Sequence, residues 1–314
     1  MLTIIKERLM QLGIVLFLLS LLTFTLMKLA PGDPVFIILK ADEVAATTAD
    51  EEALRQELGL HQPLFIQYTD WLYRLVQLDF GTSLINGKPV WENMTERLPV
   101  TLELAAGSLF VMLVISIPLG MLAAKYEGKW LDHVSGILAL LGASIPAFWL
   151  GLMLIYGFSY RLGWLPTMGM GSAAHLILPS ITLGSGLAAI YARLLRAGLL
   201  EVLAQEYIRT ARARGVGEWR IMYKHALRAA LIPVMTVFGS SAGSILAGSV
   251  IIETLFSWPG LGEMVIDAIF NRDYPVIQAY VMISGCLIVM VNLLIDLCYT
   301  WIDPRIRYRK GEMM

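Results

Sequence analysis

Long apolar stretches, separated by segments rich in charged residues, dominate the pattern along the chain. A helix needs about 20 apolar residues to cross a hydrocarbon layer of roughly 30 Å, and several stretches reach that length. They lie near residues 10–29, 100–124, 133–160, 176–197, 231–252 and 276–301. Because backbone in lipid must satisfy its own hydrogen bonds, the pattern predicts an all-α integral membrane protein with six transmembrane helices.

Charged residues are distributed unevenly among the segments that join these helices. Basic residues cluster before the first stretch, between the second and third, between the fourth and fifth, and after the sixth. Segment 31–98 instead carries five basic residues against eleven acidic ones. Because basic loops stay on the cytoplasmic side, both termini are expected inside the cell and segment 31–98 outside it.

These charges suggest a division of the chain. We expect an N-terminal transmembrane helix at 1–30, an extracytoplasmic cap at 31–98, a five-helix core at 99–302 and a cytoplasmic tail at 303–314. The core contains a long cytoplasmic loop at 198–230. The first helix should remain uncleaved, since Pro31 follows it at once and no A-x-A pattern is present. Within the cap, helix-like stretches lie at 50–58 and 64–78, with turn signals at 31–34 and 86–87.

Composition supports a membrane protein and narrows its partners. Hydrophobic residues make up 57% of the 314 positions, and the mean hydropathy is +0.67. The net charge of −1 gives no overall electrostatic attraction for nucleic acid. The expected partner of the apolar surface is membrane lipid. Cys286 and Cys298 are the only cysteines and share one apolar stretch, which argues against a disulfide framework.

Small residues recur at helical spacing in the fourth and fifth stretches. The first row contains Ser180, Gly184, Ala188 and Ala192, and the second contains Gly239, Gly243 and Ala247. Such rows let helix backbones approach closely where lipid supplies no hydrophobic drive for association. We therefore expect these two helices to form the packed centre of the protein.

The loop at 198–230 has the pattern of two short helices. Propensity favours one helix up to Arg214, followed by Gly215 as a helix-ending residue. A second helix beginning near Glu218 would carry an apolar stripe at helical spacing. The stripe consists of Trp219, Met222, Tyr223, Ala226 and Leu227. Lipid headgroups, the protein's own helix ends or a separate cytoplasmic protein could each cover it.

Several motifs, in order along the chain, resemble the peptide and nickel permease family of binding-protein-dependent ABC importers. In the loop they are Glu206-Tyr207, Thr210-Ala211-Arg212-Ala213-Arg214-Gly215, His225-Ala226-Leu227-Arg228 and Ile232-Pro233. Elsewhere they include Pro31-Gly32-Asp33-Pro34, Leu78-Asp79-Phe80-Gly81-Thr82-Ser83, Trp258-Pro259-Gly260-Leu261-Gly262 and Arg272-Asp273-Tyr274-Pro275. Tyr207 after the glutamate is a small departure from the usual glutamate-alanine segment.

The resemblance implies a fold, a set of partners and an energy source. It implies the ABC importer permease (MetI-like) fold with an extracytoplasmic insertion after helix 1, in the cell inner membrane. The implied partners are a homologous second permease subunit, two cytoplasmic ATPase subunits and an extracytoplasmic solute-binding protein. This chain has no G-x-x-x-x-G-K-[ST] phosphate loop. No cofactor is expected to bind it directly, ATP and Mg²⁺ are expected on the ATPases, and the chain itself is not expected to be an enzyme.

The same resemblance assigns expected roles within the loop. Glu206 and Gly215 should hold its shape, while Arg212 and Arg214 should pair with acidic residues of an ATPase. Trp219, Met222 and Tyr223 should dock into an ATPase cleft. The full expected coupling set is Glu206, Ala211, Arg212, Arg214, Gly215, Trp219, Met222, Tyr223 and His225.

The solute is the least determined part of the sequence interpretation. Trp164-Leu165-Pro166-Thr167-Met168-Gly169 looks closest to nickel-type first permeases, so nickel or a nickel chelate is the expected cargo, with di- or oligopeptides as the alternative. His175 and Met168 are candidate metal ligands because imidazole and thioether can bind such metals. Candidate path residues are Glu103, Ser144 and Ser240. A structural role is expected for Asp296.

Two other classes of protein fit the sequence less well. A secondary transporter would carry internal repeats and broken helices, and it would leave the amphipathic loop unexplained. A membrane hydrolase would need a catalytic set. The G-x-S-x-G match at Gly239-Ser240-Ser241-Ala242-Gly243 lies inside an apolar stretch, with no strand before it.

Overall fold

The computed structural model describes residues 2–29, 35, 48–57, 59 and 61–302. Regular structure in this part is helical, with one isolated antiparallel bridge between Thr82 and Pro89. The helices are α1 (Leu2–Leu29), α2 (Thr48–Glu57), α3 (Leu64–Val76), α4 (Val90–Lys125), α5 (Trp130–Ser144), α6 (Ala147–Leu154), α7 (Ala173–Leu203), α8 (Glu206–Ala213), α9 (Glu218–Arg220), α10 (Leu227–Phe256), α11 (Leu261–Asn271) and α12 (Tyr274–Ile302). A π-helical segment, Ile155–Arg161, continues α6, and another, Ile221–Ala226, joins α9 to α10.

Four of these helices, α1, α4, α7 and α12, are long and apolar enough to cross a membrane. Two further helix pairs meet the same test but are sharply bent, by 102° between α5 and α6 and by 77° between the end of α10 and α11. The described residues thus contain between four and six candidate spans. The all-helical prediction is confirmed, whereas the exact number of six stays a prediction.

The third predicted stretch, 133–160, is not one straight helix. α5 ends at Ser144 and α6 begins at Ala147, with Ile145 in an extended conformation (φ −77°, ψ 123°) between them. Pro146 explains the break, because proline lacks a backbone donor and disfavours helical backbone in the residue before it. α5 has 15 residues, about 22 Å of helix, so it cannot cross the hydrocarbon layer alone.

The chain forms two compact units, of which the first comprises residues 1–100 and 259–290. Here α3 lies along α1, with Tyr68 packed edge-on against Phe24 at 5.3 Å and its hydroxyl 2.9 Å from that of Ser20. The start of α4 packs against α11 and α12 through a buried apolar cluster. Its buried members are Val90, Met94, Leu261, Met264, Ala268, Val276 and Ala279.

Polar contacts in this unit join residues far apart in the chain. Asp273 is almost fully buried and accepts hydrogen bonds from the Ser83 hydroxyl and, at 3.2 Å, from the backbone N–H of Leu84. Arg97 pairs with Glu263 at 3.0 Å. Two of the sequence motifs, the segments 78–83 and 272–275, therefore meet in space. Helices at 48–57 and 64–76 confirm the two helix-like stretches of the cap, and the turn signal at 31–34 lies outside the described residues.

The second unit comprises residues 101–258 and 291–314, with α7 as its most buried helix. Apolar residues of α4, α7 and α10 interlock in one cluster toward the end of α7 that leads into the loop. Its buried members are Met121, Ala124, Leu195, Leu199, Met222, Ala226, Leu227 and Ala230. The described residues end at 302, so the predicted tail at 303–314 lies outside this description.

The small-residue row of α7 faces α4 rather than α10. A Cβ added at Gly184 would lie 2.5 Å from the carbonyl oxygen of Ser108, and one added at Gly107 would lie within the contact distance of the Ser180 hydroxyl. Ala188 packs against Met112 of α4. The prediction that α7 and α10 pack together is confirmed, because α7 packs extensively against α10, for example at Gly198 against Ala230. The small-residue row of α7 adds a close approach to α4 that the sequence analysis did not predict.

Candidate functional site

The predicted cytoplasmic loop begins with a break in the helix. Propensity predicted one continuous helix up to Arg214, but α7 ends at Leu203 and α8 begins at Glu206 after an extended Gln205 (φ −72°, ψ 149°). Ile208 on α8 is fully buried. Because Ile208 is buried in a tertiary contact, α8 takes a different direction from α7. Helix propensity does not include tertiary contacts, so it could not predict this break.

Gly215 ends α8 as predicted, and its geometry explains the residue. Its φ is +78°, in the left-handed region that glycine adopts without steric cost. Its N–H bonds to the carbonyl of Arg212 at 2.9 Å, and the N–H of Val216 bonds to the carbonyl of Ala211 at 3.2 Å. These two bonds form a Schellman motif, which satisfies carbonyls at the helix end.

Arg212 is paired within the loop. Its Nε donates to Oε1 of Glu218 at 2.8 Å, and its Nη2 donates to Oε2 at 3.3 Å. This two-point contact bridges the end of α8 and the start of α9 across the Gly215 turn. Arg212 keeps 42% of its side chain exposed in this pair, and its contact with an acidic ATPase residue stays a prediction.

Glu206 has a local role in the loop. It lies in the first turn of α8, where a negative charge favours the helix dipole, and it pairs with Arg209 at 3.0 Å. Both side chains are highly exposed, and such pairs contribute little to stability.

The apolar stripe of the second short helix is divided by a π-helical turn. Met222, Ala226 and Leu227 are buried in the cluster with α4 and α7, while Trp219 and Tyr223 are 53% and 71% exposed. The prediction assumed a constant period of 3.6 residues, but the i→i+5 pattern of Ile221–Ala226 shifts the phase of the side chains. Met222 is thus a core residue, and its assignment to an ATPase cleft is wrong.

Three aromatic side chains remain exposed on the loop. They are Tyr207, Trp219 and Tyr223. Lys125, at the end of α4, places its Nζ 3.6 Å from the centre of the Trp219 ring, a cation–π contact that favours this orientation of the indole. Tyr207 was noted in the sequence only as a departure from a motif, and its exposure could not be inferred from that pattern.

The remaining loop residues have simple surroundings. Arg214 and His225 are exposed, and neither makes an ion pair with the described residues. Ala211 is half-buried and supplies the carbonyl of the Schellman bond. Exposed cations beside exposed aromatic rings give the loop the composition of a protein-binding surface.

A third charged pair joins α7, the helix that leads into the loop, to α5. Arg196 of α7 binds Asp132 of α5 through Nε–Oδ1 and Nη2–Oδ2 distances of 2.6 and 2.7 Å. The backbone N–H of Gly128 also donates to Asp132, at 3.0 Å. The sequence analysis treated Arg196 only as one of the basic residues that indicate membrane orientation, and it did not consider Asp132.

The candidate metal ligands have other contacts. The backbone N–H of Ser172 donates to Nδ1 of His175 at 3.2 Å, so this histidine caps the start of α7. The sulfur of Met168 accepts a weak hydrogen bond from Ser257 at 3.9 Å. Within the described residues, no group of three or more His, Cys, Asp or Glu side chains could hold a metal ion.

The candidate path residues are not brought together by any contact among the described side chains. Glu103 is exposed on α4, and Ser144 is exposed at the end of α5, where its hydroxyl donates to the carbonyl of Leu140 at 2.8 Å. The side chains of Ser240 and Asp296 lie outside the description. Glu253, which the sequence analysis did not single out, is fully buried near the end of α10.

Comparisons with known proteins give a consistent result over the whole chain. Residues 116–308 match the family described as binding-protein-dependent transport system inner membrane component, and residues 1–105 match the N-terminal family of the same membrane components. The chain is 42% identical over 309 residues to the glutathione transport system permease protein GsiC of Escherichia coli strain K12 and to that of Shigella dysenteriae. The alignments cover 98% of this chain and 100% of each relative.

Solved structures share the fold at lower identity. The inward-facing MetNI methionine ABC transporter matches with a TM-score of 0.57 and 19% identity, over 67% of this chain and 96% of that chain. An amino acid ABC transporter with histidines matches with a TM-score of 0.51 and 16% identity, over 66% and 93% of the two chains. The MetI-like permease fold expected from the sequence is confirmed by these matches.

Proposed function

We propose that this chain, which belongs to the family of binding-protein-dependent transport system inner membrane components, carries glutathione or similar short peptides across the inner membrane. Family membership makes it the permease subunit of an ABC importer, a membrane component rather than a catalytic one. The observation that carries the choice of solute is the 42% identity to glutathione permeases along the full length of both chains. The peptide alternative of the sequence analysis thus replaces nickel as the preferred cargo.

The contacts at the candidate metal ligands also favour a peptide. His175 uses its Nδ1 to accept the backbone hydrogen bond of Ser172 at the start of α7, so this nitrogen is occupied within the chain. A short peptide needs polar contacts for its charged ends and no metal ligands. Glu103 and Ser144 are exposed and could provide such contacts in a path completed by another subunit.

The family also defines the kind of partners. A binding-protein-dependent importer requires ATPase subunits and a solute-binding protein. We propose a homologous second permease and two cytoplasmic ATPases that bind ATP and Mg²⁺, with both termini of this chain on the cytoplasmic side. The basic loop at 198–230 supports that orientation.

The exposed part of the loop is the proposed contact with an ATPase. Trp219, Tyr223 and Tyr207 offer aromatic surface, Arg214 adds positive charge for an acidic cleft, and His225 adds an exposed imidazole. Arg212 acts inside the loop, where its pair with Glu218 sets the angle between α8 and α9. α9 continues through the π-helical segment into α10, so a shift of the docked end moves a spanning helix directly.

Uptake measurements test the proposed solute. Cells that contain the intact importer, cells that lack this gene and complemented cells would be given radiolabelled glutathione, a dipeptide and nickel in parallel. We expect glutathione uptake to disappear in the deletion, to return on complementation, and nickel uptake to stay unchanged. Loss of nickel uptake with normal glutathione and dipeptide uptake would overturn the peptide assignment while leaving the permease family in place.

A further inference from the structure

The first unit contains an apolar cavity of about 600 Å³ that the transport function does not explain. Four helices supply its walls: α1, α3, α4 and α12. Among the described residues that line it, none carries a charge. Thr95 is the one lining residue with a hydroxyl, and it already donates to the carbonyl of Glu92 at 2.9 Å. The cavity therefore offers hydrocarbon contacts and almost no hydrogen bonding to an occupant.

The position of the lining residues gives the second argument. On α1 they fall at 13–17, within the candidate span Arg8–Leu29, and on α12 they fall at 282–290, within the candidate span Tyr274–Ile295. These two walls have the composition of hydrocarbon-embedded helices. The other two belong to the segment 31–98, which the sequence analysis expects outside the membrane, but Tyr68 of α3 packs against Phe24 and Ser20 within the candidate span of α1, so this part of the segment lies alongside that span. A polar solute such as a peptide would lose its hydration here without gaining partners.

The mouth of the cavity gives the third argument. Lining residues on three of its walls are themselves strongly exposed, with Phe17 at 53%, Val76 at 78% and Met290 at 51%. The apolar lining is thus continuous with the apolar outer surface of α1 and α12. What surrounds such a surface in a membrane is lipid hydrocarbon.

We propose that this cavity is a binding site for an acyl chain of a bilayer phospholipid. Apolar cavities stay free of water, and one of about 150 Å³ already binds a benzene molecule. A cavity of 600 Å³ accommodates a substantial length of a flexible chain, and each buried methylene adds favourable transfer free energy. A bound chain would join the amphipathic helix α3 to the spans it lies against.

Gly13 provides a variant that fills the cavity without a backbone clash. It lines the cavity on α1, and a Cβ built there meets no atom within 4 Å. Gly13→Leu should place its side chain where the acyl chain lies. Gly136→Leu is the matched control, because Gly136 is also helical, exposed and free of neighbours within 4 Å, but it lies on α5, outside the cavity.

The experiment uses the assembled importer in vesicles of phosphatidylethanolamine and phosphatidylglycerol, with some phosphatidylethanolamine carrying a diazirine midway along one acyl chain. After illumination, crosslinked peptides are mapped by mass spectrometry. We expect crosslinks at 72–76, 91–98 and 282–290, normalised to those at the exposed α4 residues Phe110, Leu113 and Val114. Gly13→Leu should lower the normalised yield about tenfold, as expected for displacing about two methylene groups, and Gly136→Leu should not.

Two outcomes would overturn the proposal. One is the absence of lipid crosslinks at the lining residues of the unmodified protein, which needs no variant to fold. The other is occupation by protein, for which a photoreactive amino acid at Leu75, another lining residue, provides the assay. Crosslinks from that position to lipid would support the site, whereas crosslinks to the second permease would show that a helix of the partner fills the space.

Discussion

Asp132 and Arg196 are joined by two parallel hydrogen bonds of 2.6 and 2.7 Å, which tie the start of α5 to the end of α7. The Asp132 side chain is only 11% exposed and that of Arg196 is 33% exposed. A planar guanidinium matches a carboxylate at two points, and a lysine cannot reproduce this geometry. The pair holds α5 against α7, the helix that leads into the loop at 198–230.

Asp132→Asn should lower the stability of the permease. The amide would turn a donor toward the guanidinium and leave a partly buried positive charge poorly paired, at a cost of about 2 kcal/mol. The apparent Tm of the purified importer in detergent measures the effect. Arg196→Lys should keep little of the two-point contact with Asp132. In a double-mutant cycle, the effects of Asp132→Asn and Arg196→Lys on stability should be strongly non-additive. Simple additivity would show that the pair contributes no coupling.

The close contact between α7 and α4 makes a second prediction. Gly184→Ala places a methyl group 2.5 Å from the Ser108 carbonyl oxygen and 3.1 Å from Cβ of Val111, so the helices must separate. We expect a loss of about 1–3 kcal/mol, as for overpacked cores. Gly186→Ala is the control on the same helix, since its nearest neighbour would be 4.0 Å away. An equal decrease of Tm in Gly184→Ala and Gly186→Ala would argue against a close approach of α7 to α4 at Gly184.

Met222 and Tyr223 are adjacent in sequence but should differ in phenotype. Tyr223→Ala removes a ring that is 71% exposed, so it should weaken co-purification of the ATPases with little change in Tm. Met222→Ala opens the cluster between α4, α7 and α10 and should lower the apparent stability by about 2–5 kcal/mol. Immunoblots of the retained ATPase and thermal unfolding separate the two effects. Intact ATPase binding in Tyr223→Ala would place the docking surface elsewhere.

Gly215 should tolerate asparagine better than alanine. A Cβ at this position meets no neighbour within 4 Å, so the cost of substitution comes from the φ of +78° alone. Alanine in the left-handed region costs about 1–2 kcal/mol, while asparagine visits it more readily. Transport rates of Gly215→Ala and Gly215→Asn at equal expression test this order. Equal activity of the alanine variant and the original protein would show that the Schellman turn is dispensable.

Asp273 should stabilise the contact between the segment 79–89 and the start of α12. It accepts hydrogen bonds from Ser83 and Leu84, and Asp273→Ala would leave the backbone N–H of Leu84 without its acceptor. The loss should be about 1–3 kcal/mol. Limited proteolysis should then cut the segment 79–89 faster than in the unmodified protein. Ser83→Ala keeps the acceptor for Leu84 and serves as the milder comparison.

Length and apolarity were enough to predict the uninterrupted spans and the loop between α7 and α10. Gly215 was also predictable, because few residues adopt positive φ without cost. The division between Met222 and Trp219 was not, since a π-helical turn changes the side-chain phase without a clear signal in the residues. The Asp132–Arg196 and Ser83–Asp273 contacts were also missed, because each joins residues that only the tertiary fold brings together.

α9, the π-helical segment and α10 follow one another without a break from Glu218 to Phe256, and the helical path, which includes Pro233, is about 58 Å long along its axis. The far end of this path is held where the carbonyl of Phe256 accepts a hydrogen bond of 2.8 Å from Gly169. If the path tilts by about 10° around its middle, each end moves by about 5 Å in opposite directions, as a lever of this length requires. The displacements of Trp219 and Phe256 then result from the same rotation. A spectroscopic probe attached near either end should therefore report the same rate constant for the conformational change.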